Sequence, residues 1–579
     1  MRDADGQEGH VAGEQRTRWA WLIPEGLRGY QRSWMRTDVL AGLTLAAVAI
    51  PETMGYTSIA QMPVVTGLYT VLFPTILFAL LGSSRLLVVG ADSATAAILA
   101  SGLAGLGISG LVPGSPHWLA LGSLVALVSG GLLVLARLLR LGFLGDFLSA
   151  SVLIGFLTGV GIQVSTGQLP EMLGIPKGDG NWLAQQWHLL THLGSIDPLS
   201  VAFAAGTVAL ILGCKRLAPK VPGAILAVVA SIILSTTLQL SKHGVAVVGP
   251  MQGGFPPLGL PSGLGWSDVA HVMPTAITCF VLILAQSAAT SRSFASRHGE
   301  RVDVNRDLVG LSAANLVAGL SGTFVVNGSP TKTQILDEQK ARTQVANLTM
   351  AAVVLVILLL FTGVLTDLPK PVLGAIVFLI GVDLIDLRGL QRVRLVRTSE
   401  FVIAALTAVV VFLVGVQQGI VLAVALSLLN LVRRQYRPYR FVISLDSAGD
   451  PTTYTPAEPG MQSAPGLVVF RYDADLFYAN ANQFADDVQQ IITSAPDPVR
   501  WLVLDCSSIS DADYSAGAAL HELVTFVHNR GAVFALAGMD PELRKVLARL
   551  GVLRLLRIDH VYDTVEDAVA GYRSATDSS

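Results

Sequence analysis

The sequence predicts a polytopic α-helical membrane protein followed by a small α/β domain. Three observations carry this. Of 579 residues, 52% are hydrophobic and only 14% charged, against roughly 25% charged in an ordinary soluble domain, and mean hydropathy is +0.58. From about Asp38 to Arg433 the chain alternates apolar runs with short charged loops, and after Arg440 that pattern stops.

Val345 to Thr366 carries one uncharged run long enough to span, since about 20 residues cross the hydrocarbon. Phe401 to Val432 is also uncharged but too long for one span, so "VGVQQG" at 414–419 reads as a tight turn between two. The same reasoning gives about fourteen segments: roughly 37–60, 64–82, 93–107, 117–138, 145–166, 197–214, 221–240, 268–292, 305–321, 330–343, 345–365, 370–387, 399–414 and 417–433. With this count, one set of loops holds Arg85, Arg137, Arg140, Lys215, Arg216, Lys220, Arg297, Arg301, Arg306, Arg388, Arg392, Arg394, Arg397, Arg433 and Arg434, and the other only Lys177, Lys242 and Lys370. The positive-inside bias therefore puts both termini in the cytoplasm, and the plasma (inner) membrane is the expected location. The expected organisation is a tail over 1–36 with an interfacial helix at 24–34, a transport domain over 37–435, a linker over 436–465 and a soluble domain over 466–573. The linker reading rests on "DSAGDPTTYTPAEPGMQSAP", and the soluble domain on alternating strand and helix patterns from "GLVVFRYDA" onward.

An internal repeat organises the membrane part. "VVGADSAT" (88–95) aligns with "VVNGSPTK" (325–332) at an offset of 237, and the two fall at the third and tenth segments. Seven spans per half, about 37–240 and 268–435, give the halves opposite orientations. Asp92 or Ser93 can cap the first helix, and Ser329 the second, with Pro330 at its favoured first position. Extended backbone feeding a half-helix inside a bilayer is tolerated only where it faces protein or a cavity. Two half-helix N-termini pointing at each other suit an anion. Lys332, in the first turn of the second half-helix, is disfavoured by roughly 0.3–1 kcal/mol from its own helix dipole and about 3 kcal/mol from the low dielectric. A bound anion would offset both; the alternatives are that Lys332 snorkels to the interface or pairs with Asp337.

Glu52, about fifteen residues into the first span, is a candidate for binding and releasing a proton, unless it lies near the outer surface. Adding 237 lands at 289, beside Gln286 and Thr290, so the polar face of the eighth span is expected to complete the cavity; inter-helix bonding is the competing reading for Gln286. Cys214, Cys279 and Cys506 are too few and too scattered for a disulfide framework or metal cluster. No P-loop, HExxH or nucleotide-binding motif is visible, so no cofactor, no enzymatic role and no nucleic-acid partner are expected.

"DVLAGLTLAAVAIPETMGYTSIAQMPVVTGLYT" (38–70), "NRDLVGLSAANLVAGLSGTF" (305–324), "GSPTKTQ" with "KARTQVANL", and "DADYSAGAALHEL" (511–523) together resemble the sulfate permease (SulP) family of anion transporters with a C-terminal STAS domain. The resemblance implies two inverted seven-span repeats divided into core and gate domains, elevator-type alternating access, homodimers, and sulfate, bicarbonate or dicarboxylate as substrate. It implies an anion held by Ser93, Ala94, Thr95, Ser329, Thr331 and Lys332, and proton coupling at Glu52. Gln286 stands where many relatives have a carboxylate that helps bind Na⁺, which argues against a Na⁺ site of that kind and for H⁺. "GADSATA" departs from the usual start of the third span, so the anion cannot be transferred from better-known members. Ser515 resembles a phosphorylated serine of STAS relatives, with an N-cap role as the alternative; the domain is also a candidate for binding a cytoplasmic protein. Competing functions are an uncoupled exchanger or channel-like conductance, and an anion sensor signalling through the STAS domain.

Overall fold

The computed structural model describes residues 30–108, 110–142, 149–176, 182–218, 222–251, 253–436, 438–445, 451–556 and 558–577, with Gly26 and Gly178. It contains two compact units, residues 1–427 and 428–579.

The first half of the membrane unit contains α1 (Met35–Ala60), α2 (Val64–Thr70), α3 (Phe73–Leu81), strand β1 (Val88–Gly90), α4 (Ser93–Ala104), α5 (Pro116–Leu138), α6 (Ala150–Leu173), α7 (Trp182–Thr191), α8 (Pro198–Leu217) and α9 (Gly223–Leu238). The second half contains α10 (Trp266–Arg297), α11 (Val304–Leu320), strand β2 (Asn327–Ser329), α12 (Pro330–Glu338), α13 (Val345–Leu360), α14 (Thr362–Leu365), α15 (Lys370–Leu384), α16 (Leu387–Val396), α17 (Thr398–Leu413) and α18 (Val416–Tyr436). Setting aside the short α7, α14 and α16, counting α2 with α3, and joining each strand to the helix it feeds leaves fourteen spans among the described residues.

The halves repeat each other in packing. Helix α5 packs on α10 and α11, and its counterpart α13 packs on α1 and α3; α4 packs on α10 as α12 packs on α1; α6 packs on α17 as α15 packs on α8. Strands β1 and β2 pair antiparallel, so the equivalent segments run in opposite directions. This is the inverted-repeat architecture, with a core of spans 1–4 and 8–11 and a gate of spans 5–7 and 12–14. The second span is not one helix, as the sequence suggests, but two. Pro74 has no N–H to continue the ladder, and the chain breaks at Val71–Leu72 before α3 begins. The expected turn at 414–419 is present: α17 ends at Leu413, Gly415 has φ +148°, and α18 starts at Val416. Of the expected interfacial helix at 24–34, residues 24, 25 and 27–29 lie outside the described residues, and Arg32–Trp34 form a 3-10 turn leading into α1.

Close helix approach in the gate depends on glycine. A Cβ on Gly155 would lie 2.1 Å from the Ala404 carbonyl oxygen, and one on Gly161 would lie 2.5 Å from that of Gly381. Small residues permit this contact where no hydrophobic driving force separates helices from lipid.

The second unit is a six-stranded sheet in the order β4-β3-β5-β6-β7-β8. Its strands are β3 (Arg440–Leu445), β4 (Pro451–Pro456), β5 (Leu467–Tyr472), β6 (Trp501–Asp505), β7 (Val533–Ala537) and β8 (Val561–Tyr562). Strands β5 to β8 are parallel, and β3 is antiparallel to both β4 and β5. One face buries Phe484 of α19 (Ala481–Thr493), Leu520 of α20 (Tyr514–Asn529), Leu543 of α21 (Pro541–Arg549) and Val552 of α22 (Val552–Leu555). The other buries Val569 and Tyr572 of α23 (Val565–Asp577) against Trp501 and Val503. The linker expected over 436–465 is corrected here: it contributes β3 and β4. Prolines and glycines masked the β-branched and aromatic "TTYT" within it, and an edge strand tolerates terminal prolines.

Gly155→Leu should disrupt the α6–α17 contact and lower the melting temperature of the detergent-solubilised protein by several degrees, since overpacking costs about 1–3 kcal/mol. Gly131→Leu, at a position where an added Cβ meets no heavy atom within 4 Å, should leave it unchanged.

Candidate functional site

Two short helices begin inside the membrane unit. Asp92 caps α4, its Oδ2 accepting from Ala94 N at 3.2 Å, and Ser329 caps α12, its Oγ accepting from Lys332 N at 3.4 Å. The caps are 237 residues apart, as the repeat requires. The strands before them are joined by the register Val88–Ser329, Val89–Gly328 and Gly90–Asn327.

Extended backbone this deep must find protein partners. Asn315 of α11 accepts from Val326 N at 3.0 Å and donates to Val326 O at 3.1 Å, acting as a strand neighbour made of side chain. Ser287 of α10 accepts from Gly328 N at 3.1 Å and donates to Asn327 Oδ1 at 2.8 Å. Thr333 of α12 accepts from Val88 N at 3.1 Å. On the other half, Gln344 donates to Ser84 O and Leu87 O at 2.8 and 3.1 Å, and Asn347 donates to Leu87 O at 3.1 Å. Each amide side chain reaches a carbonyl or N–H that no helix would satisfy.

Lys332 is the only fully buried basic side chain among the described residues. Its Nζ donates to Ala91 O at 2.6 Å and lies 5.0 Å from the Tyr56 ring centroid. The Tyr56 hydroxyl donates to Glu52 Oε2 at 3.3 Å, so one ring touches both the ammonium and the carboxylate, and Asp92 follows Ala91 directly in the chain. Neither sequence-level alternative for Lys332 survives. It does not snorkel, and Asp337 pairs instead with Arg297 at 3.4 Å and His298 at 2.7 Å. Lys332 instead closes the strand pair from one half-helix onto the other.

A cavity of about 860 Å³ approaches this point from the side carrying Lys215, Arg297, Glu338 and Asp383. Glu52 of α1, Gln286 and Thr290 of α10, and Thr331 and Gln334 of α12 form its polar wall; Leu153 and Leu157 of α6 and Ile376 and Ile380 of α15 form its apolar wall. Gln286 is 3% exposed and its Oε1 has no hydrogen-bond partner among the described residues, so the inter-helix bonding alternative gains no support. Thr290 donates back to Gln286 O at 2.7 Å. Ser93, Ala94, Thr95, Ser329 and Lys332 are buried behind this wall and do not line it. Ser329 and Thr331 hydroxyls are 3.1 Å apart, which links the buried layer to the lining. Beyond the site, Tyr56, Phe156, Val160 and Val377 belong to one apolar cluster that closes the far side.

Sequence reading missed Tyr56, Asn315, Ser287 and Asn347. Asparagine in the middle of "LSAANLVAG" and "QVANLTM" was the available signal. Ser515 stands exposed in the first turn of α20, whose N-cap Asp513 accepts from Ala516 N at 2.8 Å; the cap is therefore Asp513 and not Ser515.

Residues 35–407 match the sulfate permease family, and residues 458–568 match the STAS domain. The chain belongs to the sulfate permease family. A probable sulfate transporter of Mycobacterium tuberculosis strain H37Rv is 34% identical over 550 residues, 94% of this chain and 97% of the relative. Low affinity sulfate transporter 3 of Stylosanthes hamata is 26% identical, covering 94% of this chain and 88% of the relative. In fold, this family member resembles the murine Solute Carrier 26 family member A9 anion transporter in the inward-facing state, with TM-score 0.85 at 21% identity, covering 98% of this chain and 97% of that one. It also resembles the transmembrane domain of a cyanobacterial bicarbonate transporter, BicA, with TM-score 0.60 at 24% identity, covering 68% of this chain and 98% of that one. The protein is thus an integral membrane anion transporter with a STAS domain, and not an enzyme.

Asn315→Leu should leave Val326 N–H and C=O unpaired in the bilayer interior, at about 1–3 kcal/mol for each unpaired group. A fall of several degrees in melting temperature, with Asn315→Asp or Asn315→Gln retaining part of the loss, checks this; an unchanged melting curve would contradict it.

Proposed function

We propose that the protein is a proton-coupled carrier of small oxyanions, with sulfate as the first candidate, held where the 860 Å³ cavity meets the N-termini of α4 and α12. The observation that carries the reading is the charge arrangement. Lys332 Nζ is bonded to Ala91 O, next in the chain to Asp92, and lies over the Tyr56 ring whose hydroxyl bonds to Glu52, so one ammonium stands near two carboxylates and the side chains sum to +1 − 2 = −1. Two helix N-termini add about +0.5 each. An anion approaching this balanced point gains little until a carboxylate is neutralised. Glu52 alone of the two lines the cavity, so it is the group placed to take a proton from the same water that delivers the anion. A proton on Glu52 leaves Lys332 less compensated, and the anion then follows; release of the proton on the other side expels it.

Gln286, Thr290 and Thr331 supply neutral hydrogen-bond donors at the cavity wall, and Ser93, Ala94, Thr95 and Ser329 supply the first-turn backbone behind it. The sulfate transporters of Mycobacterium and Stylosanthes to which the chain is similar favour sulfate, whereas the bicarbonate transporter BicA favours bicarbonate. The separation of core from gate, with an apolar seal on one side of the site and a cavity on the other, supports alternating access by movement of the core, the elevator mode. The arginine-rich loops support cytoplasmic termini, with the cavity mouth at Lys215 and Arg297 facing the cytoplasm in this state. An inward-facing site of this kind must be reloaded from outside by a second state.

Reconstituted protein should accumulate labelled sulfate when the lumen is alkaline relative to the medium, and little without a pH gradient. Glu52→Gln should abolish the dependence on the gradient, whereas equal flux in wild type with and without it would leave an uncoupled exchanger. Lys332→Met, close to lysine in volume, should weaken sulfate binding at least tenfold by equilibrium dialysis; retained affinity would remove Lys332 from the site.

A further inference from the structure

We propose a second site, for a monovalent cation, in a separate cavity of about 490 Å³ at the opposite end of α1 and α6 from the anion cavity. On α6, Leu153 and Leu157 line the anion cavity and Gln163 and Gln168 line this one, with Val160 of the apolar cluster between them. On α1, Glu52 lines the first and Gln61 the second, with Tyr56 between them. The two cavities are therefore distinct spaces along one core–gate boundary.

The chemistry of the second cavity is uncharged and oxygen-rich. Among the described residues, no acidic or basic side chain lines it; its polar groups are glutamine amides, the Ser101 hydroxyl and the Trp182 indole, whose N–H is already donated to Thr166 Oγ1. The carbonyl oxygens Oε1 of Gln61, Gln163 and Gln168 are buried without a hydrogen-bond partner among the described residues, and Gln168 as a whole is 4% exposed. A buried acceptor left unpaired costs about 1–3 kcal/mol, so three around one space favour an occupant that is positive or donates. Three helices end at its wall, α1 with its C-cap at Gln61, α4 at Gly105 and α17 at Val414, against two that begin there, α7 at Trp182 and α18 after Gly415. Helix C-termini carry partial negative charge, and side-chain and backbone carbonyls are the ligands that replace water around Na⁺ or K⁺. An anion finds no cation to pair with among the described lining residues. With no carboxylate present, binding is weak, as suits an ion that must come and go.

The test uses the purified full-length protein. Its thermal unfolding is followed against NaCl or KCl, with choline chloride holding ionic strength and chloride constant at fixed pH. The expected result is a saturable rise in melting temperature with Na⁺ or K⁺. Gln168→Leu should remove that rise while sulfate still stabilises the protein, and Gln168→Glu should lower the half-saturating cation concentration about tenfold by adding a charge at the ligand. Choline matching both cations throughout would overturn the assignment. So would an unchanged cation response in Gln168→Leu and Gln168→Glu alike, or a sulfate response lost in Gln168→Leu with none to cations.

Discussion

The pairing of β1 with β2 is the constraint on which the membrane unit depends. Three residues from each half, Val88–Gly90 and Asn327–Ser329, hydrogen-bond across the centre of the fold and force both spans to start as helices partway through the bilayer. That arrangement strands backbone groups which a continuous helix would satisfy internally. The surrounding spans compensate with amide and hydroxyl side chains: Asn315 and Ser287 on one strand, Gln344, Asn347 and Thr333 on the other. These polar residues, sited in apolar helices at some cost, make the break a fixed feature, not a local defect.

The same pairing explains the position of Lys332. An ammonium group in a first helical turn works against its own dipole, and its hydrogen bond to Ala91 O places it at the opposing half-helix. Tyr56 connects this cation to Glu52, offering the hydroxyl to the carboxylate and the ring to the ammonium. Changes at Glu52 are thus felt at Lys332 through a side chain that touches both. In the proposed carrier this is the shortest route by which a proton arriving from the cavity alters the potential at the half-helix ends.

Much of this was legible in the sequence, for physical reasons. A bilayer enforces span length, so apolar runs and arginine-rich loops reveal the fourteen segments, and the repeat "VVGADSAT"/"VVNGSPTK" locates both helix starts. What stayed hidden depended on side-chain direction. Nothing in the spacing tells that Lys332 turns toward Ala91 and Tyr56 while Thr331, its neighbour, faces the cavity. Ser93 to Thr95 were expected at the cavity surface and lie behind it, because the first turn of α4 is packed against α1 and α10. Strands β3 and β4 were missed because of the proline and glycine between and after them, while pairing of β3 with β5 and of β4 with β3 decides the outcome.

The central claim is that an oxyanion is held between the N-termini of α4 and α12. Selenate replaces sulfate with an anomalous scatterer of the same charge and shape, so crystals grown with it locate the anion directly. The account predicts a selenium peak between Ser93 and Pro330, within reach of Thr331 and Gln286. A strong peak elsewhere in the membrane unit, with nothing between the two half-helices, would contradict it.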